Sequence, residues 1–311
     1  MSAALEYHRA TNYPPGAWED DAETAKRYVG ERPAIFKEYG DAERLPLDGY
    51  AAGPLLRDGA GVVRSTARAD YGGGTVFWRT YSSAGALYPV EAYLATPDGL
   101  YSFDPLTPGL VALRGGDARA DVAAATGADA ETFVVLTGIH ARTGWKYLER
   151  GYRHVWWDAG TMLANLLALA AAEGLGPRLY LGFADRELNA AVGADGAYER
   201  ALAVLALTHE TSGTPPKPPS NTVLQGQPDW ARYPLAEAAH DAGAFASLDA
   251  VRAWRGEPGG EEPALGRDEL AGAMRRRGSV RRYAETPLPR KELAALLAWS
   301  EAPIPADVPR V

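Results

Sequence analysis

The sequence predicts an α+β protein in which a sheet wraps one long apolar helix. Short apolar runs with strand character recur between residues 90 and 207, and a nearly all-apolar helical stretch, His154–Glu173, lies among them. A helix apolar nearly all round belongs in the core of a sizeable domain. The chain has 311 residues, 46% hydrophobic and 23% charged, enough for one large domain or two ordinary ones at about 150 residues each.

Residues 1–50 are polar and aromatic, with a helix expected over Asp20–Val29 and a loop at Glu31-Arg32-Pro33. From Gly53 to Trp78 the many glycines, Gly72-Gly73-Gly74 among them, read as loop with short helical pieces. Strands are expected at Val90–Thr96, Gly99–Phe103, Phe133–Ile139, Arg178–Phe183 and Ala201–Leu207. Helices are expected at Asp117–Thr126, His154–Glu173 and Asp185–Val192, with Asp185 as N-cap of the last and Gly174 as the stop of the long one. After Thr211 a Pro/Gly-rich connector with a weakly helical middle runs to about residue 264. Two helical patterns follow, Arg267–Arg277 and Pro289–Glu301. The domains read as 1–210, a linker over 211–264, and 265–311 as the start of another module.

Lys and Arg number 32 against 40 Asp and Glu, a net charge of −8, which argues against a nucleic-acid or membrane-surface binder. The absence of cysteine excludes disulfides, thiol nucleophiles, iron–sulfur clusters and thiolate zinc sites. No signal peptide is visible in the first residues, and the apolar run Met162–Ala172 is too short to span a bilayer, so a cytoplasmic protein is expected. The five histidines lack paired-ligand spacing, and neither a nucleophile elbow nor a phosphate-binding P-loop is present. No metal site is expected. Gly174-Leu-Gly176 ends a helix and precedes a strand, the reverse of the dinucleotide fingerprint.

Four segments carry chemistry. In Arg79-Thr-Tyr-Ser-Ser-Ala-Gly-Ala-Leu-Tyr-Pro-Val-Glu-Ala-Tyr93, the small residues Ser82, Ser83, Ala84 and Gly85 let backbone N–H groups and hydroxyls approach a planar ligand. A tight turn before a strand has the same composition. Trp145-Lys-Tyr147 precedes the long helix, on which Asp158, Thr161 and Asn165 form a polar stripe that either braces a site or satisfies itself. Leu181-Gly182-Phe183 closes a strand. In Arg276-Arg-Gly-Ser-Val-Arg-Arg-Tyr283, the residues Arg277, Ser279 and Arg281 alternate two guanidiniums and a hydroxyl, which suits a phosphate; a solvated basic helix end has the same pattern.

These segments resemble the SagB-type dehydrogenases, a branch of the nitroreductase-like FMN oxidoreductases that oxidises azolines to thiazoles and oxazoles in ribosomal peptides. The resemblance covers most of residues 1–210 and then 265–300, and Ser-Ala-Gly-Ala-Leu-Tyr-Pro is its most specific motif. It implies a nitroreductase-like fold, FMN as cofactor, and a loop at Ser82–Gly85 bordering the flavin ring. It implies that a backbone N–H of Leu181 or Gly182 faces a flavin nitrogen and that Arg277, Ser279 and Arg281 hold the phosphate. It also implies Lys146 and Tyr147 as the catalytic pair. A lysine at its ordinary pKa of about 10.4 is no base, so burial or the cations Arg142, Arg150 and Arg153 would have to lower it. The family more often carries Glu, His and Gln where this chain has Asp158, Thr161 and Ala164.

No Arg-x-Ser-x-Arg segment precedes the Ser83 loop between Leu45 and Arg79. A composite site is therefore expected, pairing that loop with the phosphate motif after residue 265, within one chain, across a homodimer, or with a second nitroreductase-like module. The expected function is FMN-dependent oxidation of a peptide-derived azoline. A generic NAD(P)H-dependent flavin nitroreductase and a non-catalytic scaffold of a peptide-maturation complex are the alternatives; a peptide or small molecule is the expected substrate.

Overall fold

The computed structural model describes residues 2–13, 31–42, 44–50, 52–67, 74–209, 230–256, 266–278, 285–300 and 306–308. The expected helix at Asp20–Val29 and residues 211–229 and 257–264 of the connector lie outside the described residues.

Helix α1 (Ala3–Thr11) is capped by the Ser2 hydroxyl. A short strand β1 (Arg44–Leu45) and helix α2 (Ala52–Ala60) lead into a hairpin, β2 (Val62–Ala67) and β3 (Thr75–Arg79). The hairpin corrects the reading of Gly53–Trp78 as loop with helical pieces. The helical piece is α2, but Val62-Val63 and Thr75-Val76-Phe77-Trp78 pair as strands, Ser65 opposite Phe77 and Thr66 opposite Val76. Then come β4 (Val90–Ala95), β5 (Gly99–Asp104), β6 (Gly109–Gly115), α3 (Arg119–Thr126), β7 (Thr132–Gly138) and α4 (His140–Tyr147). The long helix α5 (Gly151–Ala172), β8 (Pro177–Tyr180), α6 (Asp185–Val192) and β9 (Arg200–Leu207) complete the central layer. Beyond it lie α7 (Pro234–Asp241), α8 (Leu248–Trp254), α9 (Arg267–Arg276) and α10 (Arg290–Ser300).

The main sheet has the order β1-β6-β5-β4-β7-β9-β8 and every named pair in it is antiparallel. Its middle strands are apolar on both faces because both are covered. One core joins β4, β7 and β9 to α2 and α5, and a second lies between the sheet, α3 and α6. Residues 140–172 are long and apolar enough to cross a bilayer, but 56% of an 18-residue apolar segment within them is buried inside the protein. Leu166 and Leu169 have no exposed surface. This is a core helix, as its all-round apolarity predicts.

Two details correct the local reading. The N-cap of α6 is Ala184; Asp185 is its first residue, and its carboxylate accepts the Phe245 N–H at 2.7 Å. A helix the sequence did not suggest, α4, carries Lys146 and Tyr147. Its Gly144 is required by packing, since a Cβ there would stand 2.4 Å from Cζ of Tyr233.

α7, α8 and α9 pack against the same body. α7 lies on α1 in a small aromatic cluster of Tyr7, Tyr152 and Tyr233, and α9 lies across α2 and α5. The described elements form an α+β fold, as expected.

Candidate active site

The loop after β3 is strained and firmly held. Gly85, Ala86 and Tyr88 have φ of 64°, 52° and 44°, and a left-handed backbone at a bulky residue is costly. Helix α5 supplies the restraint. The Asp158 carboxylate accepts the Ser83 hydroxyl at 2.5 Å and the Ala84 N–H at 3.1 Å. The Ser83 oxygen accepts the Tyr88 N–H at 2.8 Å, and the Thr161 hydroxyl donates to the Ser82 carbonyl at 2.8 Å. The polar stripe on α5 therefore braces the loop. Asn165, its third member, donates to the Gly59 carbonyl at 3.1 Å and ties α2 to α5.

From the other side, Arg142 of α4 donates to the Tyr88 carbonyl at 2.8 Å and forms an ion pair with Glu91 at 2.5 Å. Both side chains of that pair are only 2% exposed. Arg142 is thus paired with Glu91. Arg150 donates to the Thr11 carbonyl, and Arg153 donates to the Thr11 hydroxyl at 2.9 Å. These two cations anchor α1.

Lys146 and Tyr147 meet the loop directly. A Cβ on Gly85 would lie 3.0 Å from the Tyr147 hydroxyl and 3.4 Å from Cδ of Lys146. Only glycine tolerates both that approach and the positive φ. The Tyr147 ring packs on His154 with centroids 4.1 Å apart. Burial, helped by Arg150 and Lys146, pushes His154 down to about 4, so it is neutral near pH 7.

Burial pushes the Asp158 carboxyl up to about 7, although the Ser83 hydroxyl, the Ala84 N–H and Arg79 pull the other way. A carboxyl that holds its proton more tightly folded than unfolded favours the fold below its unfolded pKa of about 4, and that advantage disappears as pH rises to about 7. The melting temperature of the wild type should therefore fall relative to that of Asp158→Asn across this window. Thermal melts at several pH values check it; a constant difference between the two proteins would refute it.

One residue of the basic motif reaches the Ser83 loop within the chain. Arg277, just after α9, donates through Nη1 to the Ser82 hydroxyl at 2.9 Å and through Nε to the Thr80 carbonyl at 3.3 Å. Arg277, Ser82 and Ser83 line one cleft together with Val63, Arg64 and Arg79. Ser279 and Arg281 lie outside the described residues. What fixes α9 here is Asp58 of α2, 1% exposed, which pairs with Arg267 at 2.6 Å and with Arg275. Burial opposes ionisation of Asp58, but the two guanidiniums outweigh it and hold the carboxyl below its usual range.

Leu181 and Gly182 have another partner. Their N–H groups donate to the two oxygens of the Asp307 carboxylate at 2.7 and 3.3 Å, and Arg255 completes the set at 2.8 Å from Asp307. Sequence reasoning missed Asp58, Arg64, Arg79 and Asp307. Arg79 opens the quoted motif, but the others carry no local signal.

Residues 55–209 match the model of the Nitroreductase family. Over that span the chain belongs to the nitroreductase family. The nitroreductase domain is 28% identical over 123 residues to the microcin B17-processing protein McbC of Escherichia coli, covering 34% of this chain and 45% of that protein. It is also 28% identical over 123 residues to a protein of Methanocaldococcus jannaschii named after the nitroreductases, 36% of this chain and 62% of that one. The matches thus span about half the length of these relatives. A crystal structure of a protein of Anabaena variabilis, named in the same way, superposes with a TM-score of 0.73 at 23% identity, covering 96% of this chain and 68% of that one. The likeness to it is one of fold.

Proposed function

We propose that the protein is an FMN-dependent dehydrogenase of the nitroreductase family that oxidises a peptide-derived azoline in the cytoplasm. The observation that carries this reading is the contact of Arg277 with Ser82. It brings Arg277 of the phosphate-type motif to the Ser83 loop in one cleft, and Gly85 of the same loop approaches Lys146 and Tyr147. The residues present fit FMN. The Arg277 guanidinium and the Ser82 hydroxyl are donors for a phosphate, with Ser279 and Arg281 proposed beside them. Ser83, Ala84 and Gly85 offer a small-residue wall for the edge of a planar ring. The N–H groups of Leu181 and Gly182 remain candidates for a flavin edge, in competition with Asp307.

Converting an azoline to an azole removes two hydrogens, one as a proton and one as a hydride; bound FMN would accept the hydride. The chain has to take the proton. In its neutral form, Lys146 Nζ would receive it from the ring carbon, with the Tyr147 hydroxyl orienting the substrate. Asp158, Thr161 and Arg142 keep the loop from relaxing away from both groups. The kinship with a microcin-processing protein supports a peptide substrate. A second copy of the chain, or a second nitroreductase-like module, is the proposed partner.

The test is direct. The purified full chain, reconstituted with FMN and heat-denatured, should release FMN identifiable by mass spectrometry and should oxidise an azoline peptide. Recovery of no flavin after reconstitution would refute the reading.

A further inference from the structure

Every polar group of Tyr88 is tied down. Its N–H donates to Ser83 Oγ at 2.8 Å, its carbonyl accepts from Arg142 at 2.8 Å, and its hydroxyl accepts the Arg79 N–H at 3.0 Å. Its buried ring meets Tyr81 edge to face, with centroids 5.5 Å apart, and the Arg79 guanidinium lies 4.5 Å from its centre. A residue at φ 44° needs such restraint, because a bulky side chain leaves the left-handed region once nothing opposes it. Arg79 thus grips Tyr88 twice, by backbone at the hydroxyl and by guanidinium at the ring. The proposed chemistry gives it no part.

The grip has a fixed anchorage. Arg79 is 3% exposed, and a guanidinium taken that far out of water needs firm partners. Its Nη2 donates to the Ile35 carbonyl at 3.1 Å, its Nη1 to the Tyr81 hydroxyl at 3.4 Å, and the Phe36 ring centre is 5.1 Å away. Ile35 and Phe36 belong to an irregular segment that is pinned again a few residues on. Lys37 pairs with Glu199 at 2.6 Å, and Glu199 also accepts the Thr137 hydroxyl at 2.5 Å and the Tyr93 hydroxyl at 2.7 Å. The Tyr39 and Ser102 hydroxyls are bonded at 2.9 Å. The partners of Arg79 on residues 35 and 36 are therefore tied to β4, β5 and β7.

We infer that Arg79 is a positioning residue: it carries the fixed place of residues 35–39 to Tyr88 and so sets the Ser82–Gly85 loop against Lys146 and Tyr147. Arg142 holds the backbone of Tyr88 and Arg79 its side chain, so the two arginines are separate restraints on one strained residue. The effect on turnover rests on the proposed function; the effect on the loop does not.

Amide hydrogen exchange, read by mass spectrometry in the full chain, tests the loop directly. The N–H groups of Ala84, Ala86, Leu87 and Tyr88 are all bonded within the protein, so their exchange reports opening of the loop. Arg79→Met should speed exchange there by about tenfold or more, with amides paired between β4 and β7 changing less than about threefold. Arg79→Lys keeps the charge but loses the forked donors, and should recover part of the protection. Unchanged loop exchange, or an equal rise in loop and sheet, overturns the inference. Should Arg79→Met show no cooperative thermal transition, Phe36→Leu is read in its place under the same criteria, since it keeps the charge and removes one ring from beside it. With an azoline peptide, Arg79→Met should lower kcat about 10- to 100-fold with KM within about threefold, because a misplaced group costs rate more than binding. A change in KM alone overturns the positioning role. If wild type oxidises no azoline peptide, the proposed function fails, and loop exchange by itself decides the inference.

Discussion

Lys146→Ala should lower turnover of an azoline peptide by about 10²- to 10⁴-fold, the span that a positioned acid–base group contributes, with bound flavin near the wild-type level. The expectation rests on position. Lys146 lies at the end of α4, with Cδ 3.4 Å from where a side chain on Gly85 would begin, and Gly85 belongs to the loop that meets Arg277 through Ser82. Its contact with Gly85 is made by the aliphatic stem, not by the charge. Tyr147→Phe should lower turnover less and likewise leave flavin in place. Specific activity per bound flavin, measured with flavin content, distinguishes the roles. A variant that loses flavin but keeps activity per flavin would show that the pair holds cofactor instead of acting on substrate.

Arg142→Met should destabilise the protein by about 3–5 kcal/mol, because it strands Glu91 as a buried charge with no partner. The double variant Glu91→Leu/Arg142→Met should recover most of that loss, since an apolar pair of similar volume avoids the desolvation cost altogether. Urea unfolding of the three proteins measures both steps. A single-variant effect below about 1 kcal/mol, the range of a surface pair, would show that the pair is not sealed from water. Stability recovered in the double variant should not bring full activity back. The Tyr88 carbonyl would still lack its donor, and Tyr88 sits in the left-handed region only because both sides of the loop are held.

The parts of the fold that were legible are those whose burial is complete. β4, β7 and β9 read as strands because both their faces are covered and their runs are continuously apolar. α5 read as a core helix for the same reason. β6 escaped notice because Arg114 and Gly115 dilute its apolar start, and the β2–β3 hairpin because one exposed strand and a triple glycine look like loop. α4 was hidden by Gly144, a helix-weakening residue whose justification, the Tyr233 ring, lies some ninety positions away.

The candidate site divides in the same way. The loop at Ser82–Gly85 was visible in its small residues, and the partnership between that loop and Arg277 followed from each segment's lack of the other. Asp158 and Thr161 were legible as a polar stripe, but its purpose was not: a side chain can be seen to need a partner without showing which. Arg79 was passed over because an arginine is ordinarily solvated, and nothing local distinguishes one that will be buried between Phe36 and Tyr88. Asp307 carried no expectation at all, since what makes it significant is the pair of N–H groups it meets at the end of β8.

The two arginines that neutralise Asp58 stand 209 and 217 positions further along the chain. A polypeptide cut at the Pro-rich connector would therefore keep the acid and lose both bases. It would also lose α9, which lies across α2 and α5 beside that carboxylate, leaving Arg57, 3.7 Å from Asp58, as its cation. The region up to residue 210 contains the family match and most of the core, yet it is not electrostatically self-sufficient. Any excision, fusion or exchange made at that connector has to carry its own answer to Asp58.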